Sequence, residues 1–152
     1  TDPDRLGITG WSYGGFISAW AVSQTKRFAA AVMGAGISDW RSFHGKSYLH
    51  TWDVMHYNGA NAYDTNSEHA RFSSINFIEN VETPTLILHG EQDEDVPVEQ
   101  AYQWYRALQD HNVISELVVY PREPHGVTEY EHQVDIGARM VGWFERWLKP
   151  SI

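Results

Sequence analysis

Cysteine is absent from the 152 residues. That removes disulfides, thiolate metal sites and cysteine nucleophiles together. No apolar run approaches the roughly 18 residues that a spanning helix needs, and no charged, apolar, small-residue leader opens the chain. Basic residues are scarce: Lys and Arg number 11 against 20 Asp and Glu, a formal net charge of -9. No basic run is longer than a pair, so the average field repels nucleic acid and anionic membranes. Internal repeats and low-complexity tracts are also lacking. What is present is a folding composition, 42% hydrophobic with Trp 7, Tyr 8 and Phe 6, in a length that suits one domain with a real core. The expected compartment is the cytoplasm.

The chain opens inside a turn and strand, "TDPDRLGITG", and we expect it to be part of a longer polypeptide whose upstream region is absent. "RLGIT" (5–9) reads as a short strand broken by "GWSYGG", after which "FISAWAVSQT" (16–25) has helical spacing. "AAVMGAG" (30–36), "TLILH" (85–89) and "ELVVY" (116–120) read as three further strands. "VEQAYQWYRALQD" (98–110) places Val98, Ala101, Tyr105 and Leu108 on one stripe behind Pro97. The closing 132–148 stretch carries Val134, Ala138, Val141, Phe144 and Leu148 on one face, with Pro150 as its stop. Strands alternating with helices predict a mostly parallel sheet covered on both faces, with right-handed crossovers. The "RLGIT" strand is expected at or near an uncovered edge, a template for self-association or for pairing with a missing segment. Residues 37–83 are too long for an ordinary connection, and such an excursion is expected over the carboxyl ends of the strands, where ligands bind.

Gly10–Trp11–Ser12–Tyr13–Gly14, with Gly15 added, fits G-x-S-x-G between a strand and a helix. A serine on so sharp a turn needs neighbours nearly free of side chain. A serine that merely caps the helix is the plainer alternative. A nucleophilic serine requires a histidine to take its proton and a carboxylate to hold that histidine. "HGEQDEDVP" (89–97) offers the acid directly after a strand, with Asp93 and Asp95 better suited than Glu91; spacing leaves both aspartates open. "YPREPHG" (120–126) offers His125 as base on a loop after the last strand. His89 reads as a structural hydrogen-bonding residue and His132 as a surface residue. The remaining histidines have no metal-ligand spacing; "HGKSYLHTWDVMH" offers only six-residue steps, and no metal or cofactor is expected.

"DPDRLGITGWSYGGF", "TPTLILHGEQDEDVPVEQA", "YPREPHG" and "WFERWL" together resemble the prolyl oligopeptidase family of serine peptidases. The resemblance lies with its acylaminoacyl-peptidase and dipeptidyl-peptidase-like branch and covers nearly the whole chain. It implies the carboxyl-terminal portion of an α/β-hydrolase catalytic domain, its first strands missing. It also implies Ser12 as nucleophile, His125 as general base and Asp93, not Asp95, as the orienting acid. The Tyr13 N–H would be one oxyanion donor, and a second would come from the absent region. Val96 matches a position lining the pocket for a substrate side chain. Pro124 stands where family members commonly have glycine. Relatives carry an amino-terminal β-propeller that filters peptides by size, which implies short peptides as substrates. Trp40 and Trp52 are further candidates for lining a pocket, against ordinary core packing. The expected partners are an upstream segment of the same polypeptide or a second copy. A serine carboxylesterase of the same fold, and a catalytically weak fragment acting as an association module, are the competing readings.

Overall fold

The computed structural model describes residues 2–148. Its framework is a four-stranded sheet in the order β1-β2-β3-β4, formed by β1 (Gly7–Trp11), β2 (Ala30–Gly34), β3 (Thr85–Gly90) and β4 (Ser115–Tyr120). Every neighbouring pair is parallel, since helical connections return the chain to the same end before each new strand. β2 and β3 are buried along their whole length, as their unbroken apolar or small-residue runs require. β1 and β4 form the edges.

Helices cover both faces. α1 (Tyr13–Gln24) and α5 (Glu99–Asp110) set Ala19, Val22, Ala101, Trp104 and Leu108 against Ala31, Met33 and Ile87. α6 (Tyr130–Leu148) closes the other face, with Trp143 against Ala30, Val32, Leu86 and Leu88. Successive strand residues thus serve opposite layers. No helix among the described residues is long and apolar enough to cross a membrane.

Several boundaries differ from the sequence expectation. β1 runs on through Gly10 and Trp11, and α1 begins at Tyr13, so strand and helix are separated by Ser12 alone. β2 stops at Gly34 because Ala35, at φ 40, leaves the extended region. In α5 the buried stripe runs through Trp104; Tyr105 only flanks it. The face chosen for the last helix is corrected more strongly. Val134, Ala138 and Val141 point outward, while Ile136, Met140, Trp143, Phe144, Trp147 and Leu148 meet the sheet. Both stripes have helical spacing, and the one with the larger apolar area wins the sheet. Pro150 lies outside the described residues.

The excursion between β2 and β3 is built from short helical segments. It holds α2 (Trp40–Lys46), α3 (His50–His56), α4 (Glu68–Arg71) and a 3₁₀ segment (Ser74–Asn80). These helices are too short to stand alone, and tertiary contacts fix them. Gln100 of α5, fully buried, accepts from the Ser38 and Asp39 N–H groups through Oε1 and donates to Ser42 Oγ. Phe16, Ile37, Trp40, Phe43, Tyr57 and Val96 form a core of their own there. Ser47 Oγ donates to the Asp95 carbonyl and Tyr48 N to that of Glu94. The excursion therefore leans on the loop that follows β3, at the carboxyl end of the sheet.

The glycines around Ser12 have unequal roles. A Cβ on Gly10 would collide with the Gly14 backbone, and one on Gly15 with the Gly34 carbonyl oxygen and, at 2.8 Å, with Gly36 Cα. A Cβ on Gly14 meets nothing within 4 Å. The steric demand expected of both motif glycines therefore falls on Gly10 and Gly15. Gly15→Ala should cost about 3 kcal/mol, because backbone rather than a flexible side chain must yield. Gly14→Ala should stay within about 1 kcal/mol of the parent. Urea denaturation of the two variants measures the difference; equal losses would overturn it.

Candidate active site

Ser12 sits at the junction of β1 and α1 with φ 61 and ψ -120. A non-glycine residue held there stores about 1–3 kcal/mol. Two backbone bonds secure the turn: Ser12 N donates to the Gly34 carbonyl (2.9 Å), and Phe16 N donates to the Ser12 carbonyl (3.0 Å). Its hydroxyl makes no capping bond to the helix, which removes the plainer reading of this serine. Instead Ser12 Oγ lies 2.8 Å from His125 Nε2.

On its other side, His125 Nδ1 lies 2.8 Å from Asp93 Oδ2. With the proton on Nδ1, the ring donates to the carboxylate and accepts from the serine. Asp93 Oδ1 in turn accepts from Val96 N at 2.9 Å. Geometry thus separates the two aspartates that spacing left open. Asp95 offers its carbonyl to Ser47 Oγ, at the end of α2, and its carboxylate reaches His125 only as a nearby charge.

Burial pushes the Asp93 carboxyl up, but hydrogen bonds from His125, His89 and Val96 N outweigh it and hold the group below its ordinary value. The bond to Asp93 holds His125 above the ordinary imidazole value, against a smaller opposing effect of burial. The three side chains come from loops after β1, β3 and β4, which the parallel register leaves at one end of the sheet.

The support beneath these loops was only partly visible in the sequence. His89, fully buried, has Nε2 2.8 Å from the Val96 carbonyl and 3.4 Å from Asp93 Oδ2, so it ties the acid loop from below. The Trp11 indole N–H donates to the His125 carbonyl at 2.9 Å, linking the serine strand to the histidine loop. Gly90 lets the Glu123 and Pro124 carbonyl oxygens approach to 2.5 Å from where a Cβ would stand, and Gln92 N donates to Glu123 O at 2.9 Å.

Glu123 is the hub of the histidine loop. Its buried carboxylate accepts from Thr128 N (2.7 Å) and Oγ1 (3.1 Å), Glu129 N (2.9 Å) and His132 Nδ1 (2.6 Å). His132 is therefore corrected from a surface residue to a largely buried partner, its side chain 19% exposed. Glu123, His132 and Glu129 lie close enough to suggest a cation site, yet the four donors already fill Glu123. Nothing in the local pattern announces this hub except an acidic residue two places before the histidine.

Tyr13 is the first residue of α1, so no intrahelical carbonyl can accept from its N–H. Its ring meets Phe16, Trp40, Trp52 and His56 at centroid distances of 5.3–6.4 Å. Trp40 and Val96, expected to line a pocket, are buried at 0% and 2% exposure; they back the wall and do not face solvent. Trp52 is 40% exposed, with His56 stacked on it at 4.8 Å. An apolar recess of about 190 Å³ beside Tyr13 is lined by Phe16, Ile17, Trp20, His56, Tyr57 and Phe72.

Residues 1–151 match the prolyl oligopeptidase family. The chain is 40% identical to the uncharacterized peptidase YuxL of Bacillus subtilis over 97% of its own length and 23% of that protein. It is 30% identical to the acylamino-acid-releasing enzyme of Arabidopsis thaliana over 97% of its length and 20% of the relative. Among solved structures, an acylaminoacyl peptidase of Pyrococcus horikoshii superposes with a TM-score of 0.92 at 28% identity, covering 100% of this chain and 25% of that one. The chain thus spans about a quarter or less of the relatives it matches.

Burial would raise the Glu123 carboxyl, but its donors hold it down at about 2. A group whose pKa falls on folding stabilises the native state above the unfolded value, roughly 4.3, and loses that contribution as pH falls toward the folded value. Glu123→Gln should therefore lower the melting temperature clearly at pH 7. The gap to the parent should close between about pH 4 and pH 2. A gap that is constant across that range, followed by calorimetry, would contradict the assignment.

Proposed function

The chain belongs to the prolyl oligopeptidase family, and from that premise we propose that it carries the reacting residues of a serine peptidase acting on short peptides. One observation carries the reading: an unbroken hydrogen-bonded relay from Ser12 Oγ through His125 to Asp93, with the serine strained and unused as a cap. In the proposed reaction His125 Nε2 takes the Ser12 hydroxyl proton as Oγ attacks a carbonyl carbon. Asp93 keeps the imidazole in the Nδ1–H tautomer and stabilises the imidazolium that forms. The Tyr13 N–H, at the positive end of α1, donates to the developing oxyanion. A second donor is assigned to a segment outside these residues. His125 then delivers its proton to the leaving amine, and water attacks the acyl-enzyme with the same histidine as base.

The names of relatives, an acylamino-acid-releasing enzyme and a dipeptidyl-peptidase, favour an acylamino acid or a dipeptide as the unit removed. The aromatic recess beside Tyr13 supplies an apolar surface for a substrate side chain.

Steady-state kinetics of the full-length polypeptide on acylaminoacyl and dipeptidyl anilides test the reading, with aryl esters of the same acyl groups as the esterase arm. Asp93→Asn should lower kcat by about 10⁴-fold through the wrong tautomer, whereas Asp95→Asn should change it only a few-fold. Equal losses, or a larger loss at Asp95, would overturn the assignment. Hydrolysis confined to the esters would sink the peptidase reading.

The pH profile is a second check. The base works unprotonated, and Asp93 holds His125 above the ordinary value of roughly 6.5. The kcat/KM of the parent should thus rise with a midpoint above that value. In Asp93→Asn the residual activity should rise at a lower pH. An unmoved midpoint would speak against Asp93 as the partner.

A further inference from the structure

Outside the relay, one cluster of titratable side chains has no evident structural completion. The three short helices of the excursion each contribute one member: His44 from α2, Asp53 from α3 and His69 from α4. His69 Nε2 lies 2.6 Å and His44 Nδ1 3.0 Å from the same oxygen, Asp53 Oδ2. All three ligand atoms lie within 4.8 Å of one another. Asp53 and His69 are fully buried, while the His44 side chain is 19% exposed and forms the approach from solvent. The His50 and Tyr63 rings flank it at 6.2 and 5.6 Å.

Asp53 differs from the other two buried carboxylates described above. Asp93 and Glu123 have donors on both oxygens. Asp53 has both of its partners on Oδ2, and its Oδ1 is buried without any. Neither partner is an arginine or lysine, the residues that ordinarily balance a carboxylate out of water. A buried carboxylate with one bare oxygen and no arginine or lysine beside it is costly, and a cation held at Oδ2 between the two imidazoles balances its charge.

We propose that His44, Asp53 and His69 bind a divalent transition-metal ion of the zinc class. Two imidazole nitrogens and a carboxylate oxygen are a borderline donor set suited to Zn²⁺ or Co²⁺. Metal–ligand bonds of roughly 2.0–2.2 Å place the donors of a tetrahedral site within about 3.5 Å of each other. The present separations of 2.6 and 3.0 Å need to open by less than about 1 Å. Three protein ligands leave a fourth position on the His44 side for water. The ion pins α2, α3 and α4 together. Since α2 and α3 carry Trp40, Trp52 and His56, it also holds the aromatic wall against Tyr13. This site stands independently of the hydrolytic reaction proposed above.

The six-residue histidine steps of the sequence do not form this set. His56 stacks on Trp52 and Trp40, His50 is exposed, and only His44 joins. Its partners are Asp53, in the same stretch, and His69, which lies beyond it.

The test uses the full-length polypeptide, stripped with a chelator and then titrated with Zn²⁺ and separately with Co²⁺. One tight equivalent per chain is expected, with a raised melting temperature and, for Co²⁺, the visible absorption of a tetrahedral nitrogen–oxygen site. Asp53→Asn preserves the side-chain volume and should weaken binding by more than the 10–100-fold that loss of an outer-shell partner costs. His44→Gln, at the exposed member, should do the same and serves if the buried variant fails to fold. Absence of a tight equivalent in the parent would overturn the proposal. So would affinity and absorption that persist unchanged in a folded variant. Either result would leave the cluster as a hydrogen-bonded clamp.

Discussion

The site depends on a close approach of two backbone segments. The start of α1 lies against the end of β2, Gly15 facing Gly34 and Gly36 with no room for a side chain between them. Ser12 N reaches the Gly34 carbonyl across the same gap. A strand followed by a helix after a single residue forces that residue into a sparsely populated conformation, and here the residue is Ser12. Without the glycine contact the helix would stand off, the turn would relax and the hydroxyl would leave the face on which His125 waits. The strain is local, and the burial of β2 and β3 between two helical layers sustains it.

The rest of the site is a set of tethers between loops. Parallel strands bring loop starts to one end of the sheet, but they do not fix side chains to a fraction of an ångström. That precision comes from bonds between loops: Trp11 to the His125 carbonyl, His89 to the Val96 carbonyl, and Gln92 to the Glu123 carbonyl. Within the histidine loop, Glu123 organises four donors from a buried position. A buried carboxylate so fully satisfied rigidifies its surroundings, whereas a half-satisfied one is a liability. This contrast is what makes Asp53 conspicuous.

Much of this was legible in the sequence, for identifiable reasons. The strands containing "AAVMG" and "TLILH" are buried on both faces, and continuous apolar or small-residue runs express that directly. The loops carrying Ser12, Asp93 and His125 follow predicted strands, so topology alone placed them together. The outward face of α6 was misread because Val134 and Val141 keep helical spacing as well as Met140 and Phe144 do. Spacing carries no information about which stripe the sheet will take. Val96 was matched to a pocket position only through the family resemblance, and Trp40 was a pocket candidate against ordinary core packing; both are buried, and residue type does not distinguish lining a wall from backing it. Gln100, Glu123 and the gathering of His44, Asp53 and His69 were invisible because their partners are brought by tertiary packing and not by any periodicity.

In the proposed reaction Ser12 is the nucleophile and His125 activates it. Reaction of the full-length polypeptide with a fluorophosphonate probe, followed by peptide mapping, tests this most directly, since the reagent requires a serine whose proton is being withdrawn. An adduct on Ser12 that disappears in His125→Ala is expected. An adduct on a different serine, with Ser12 unmodified in the same sample, would contradict it.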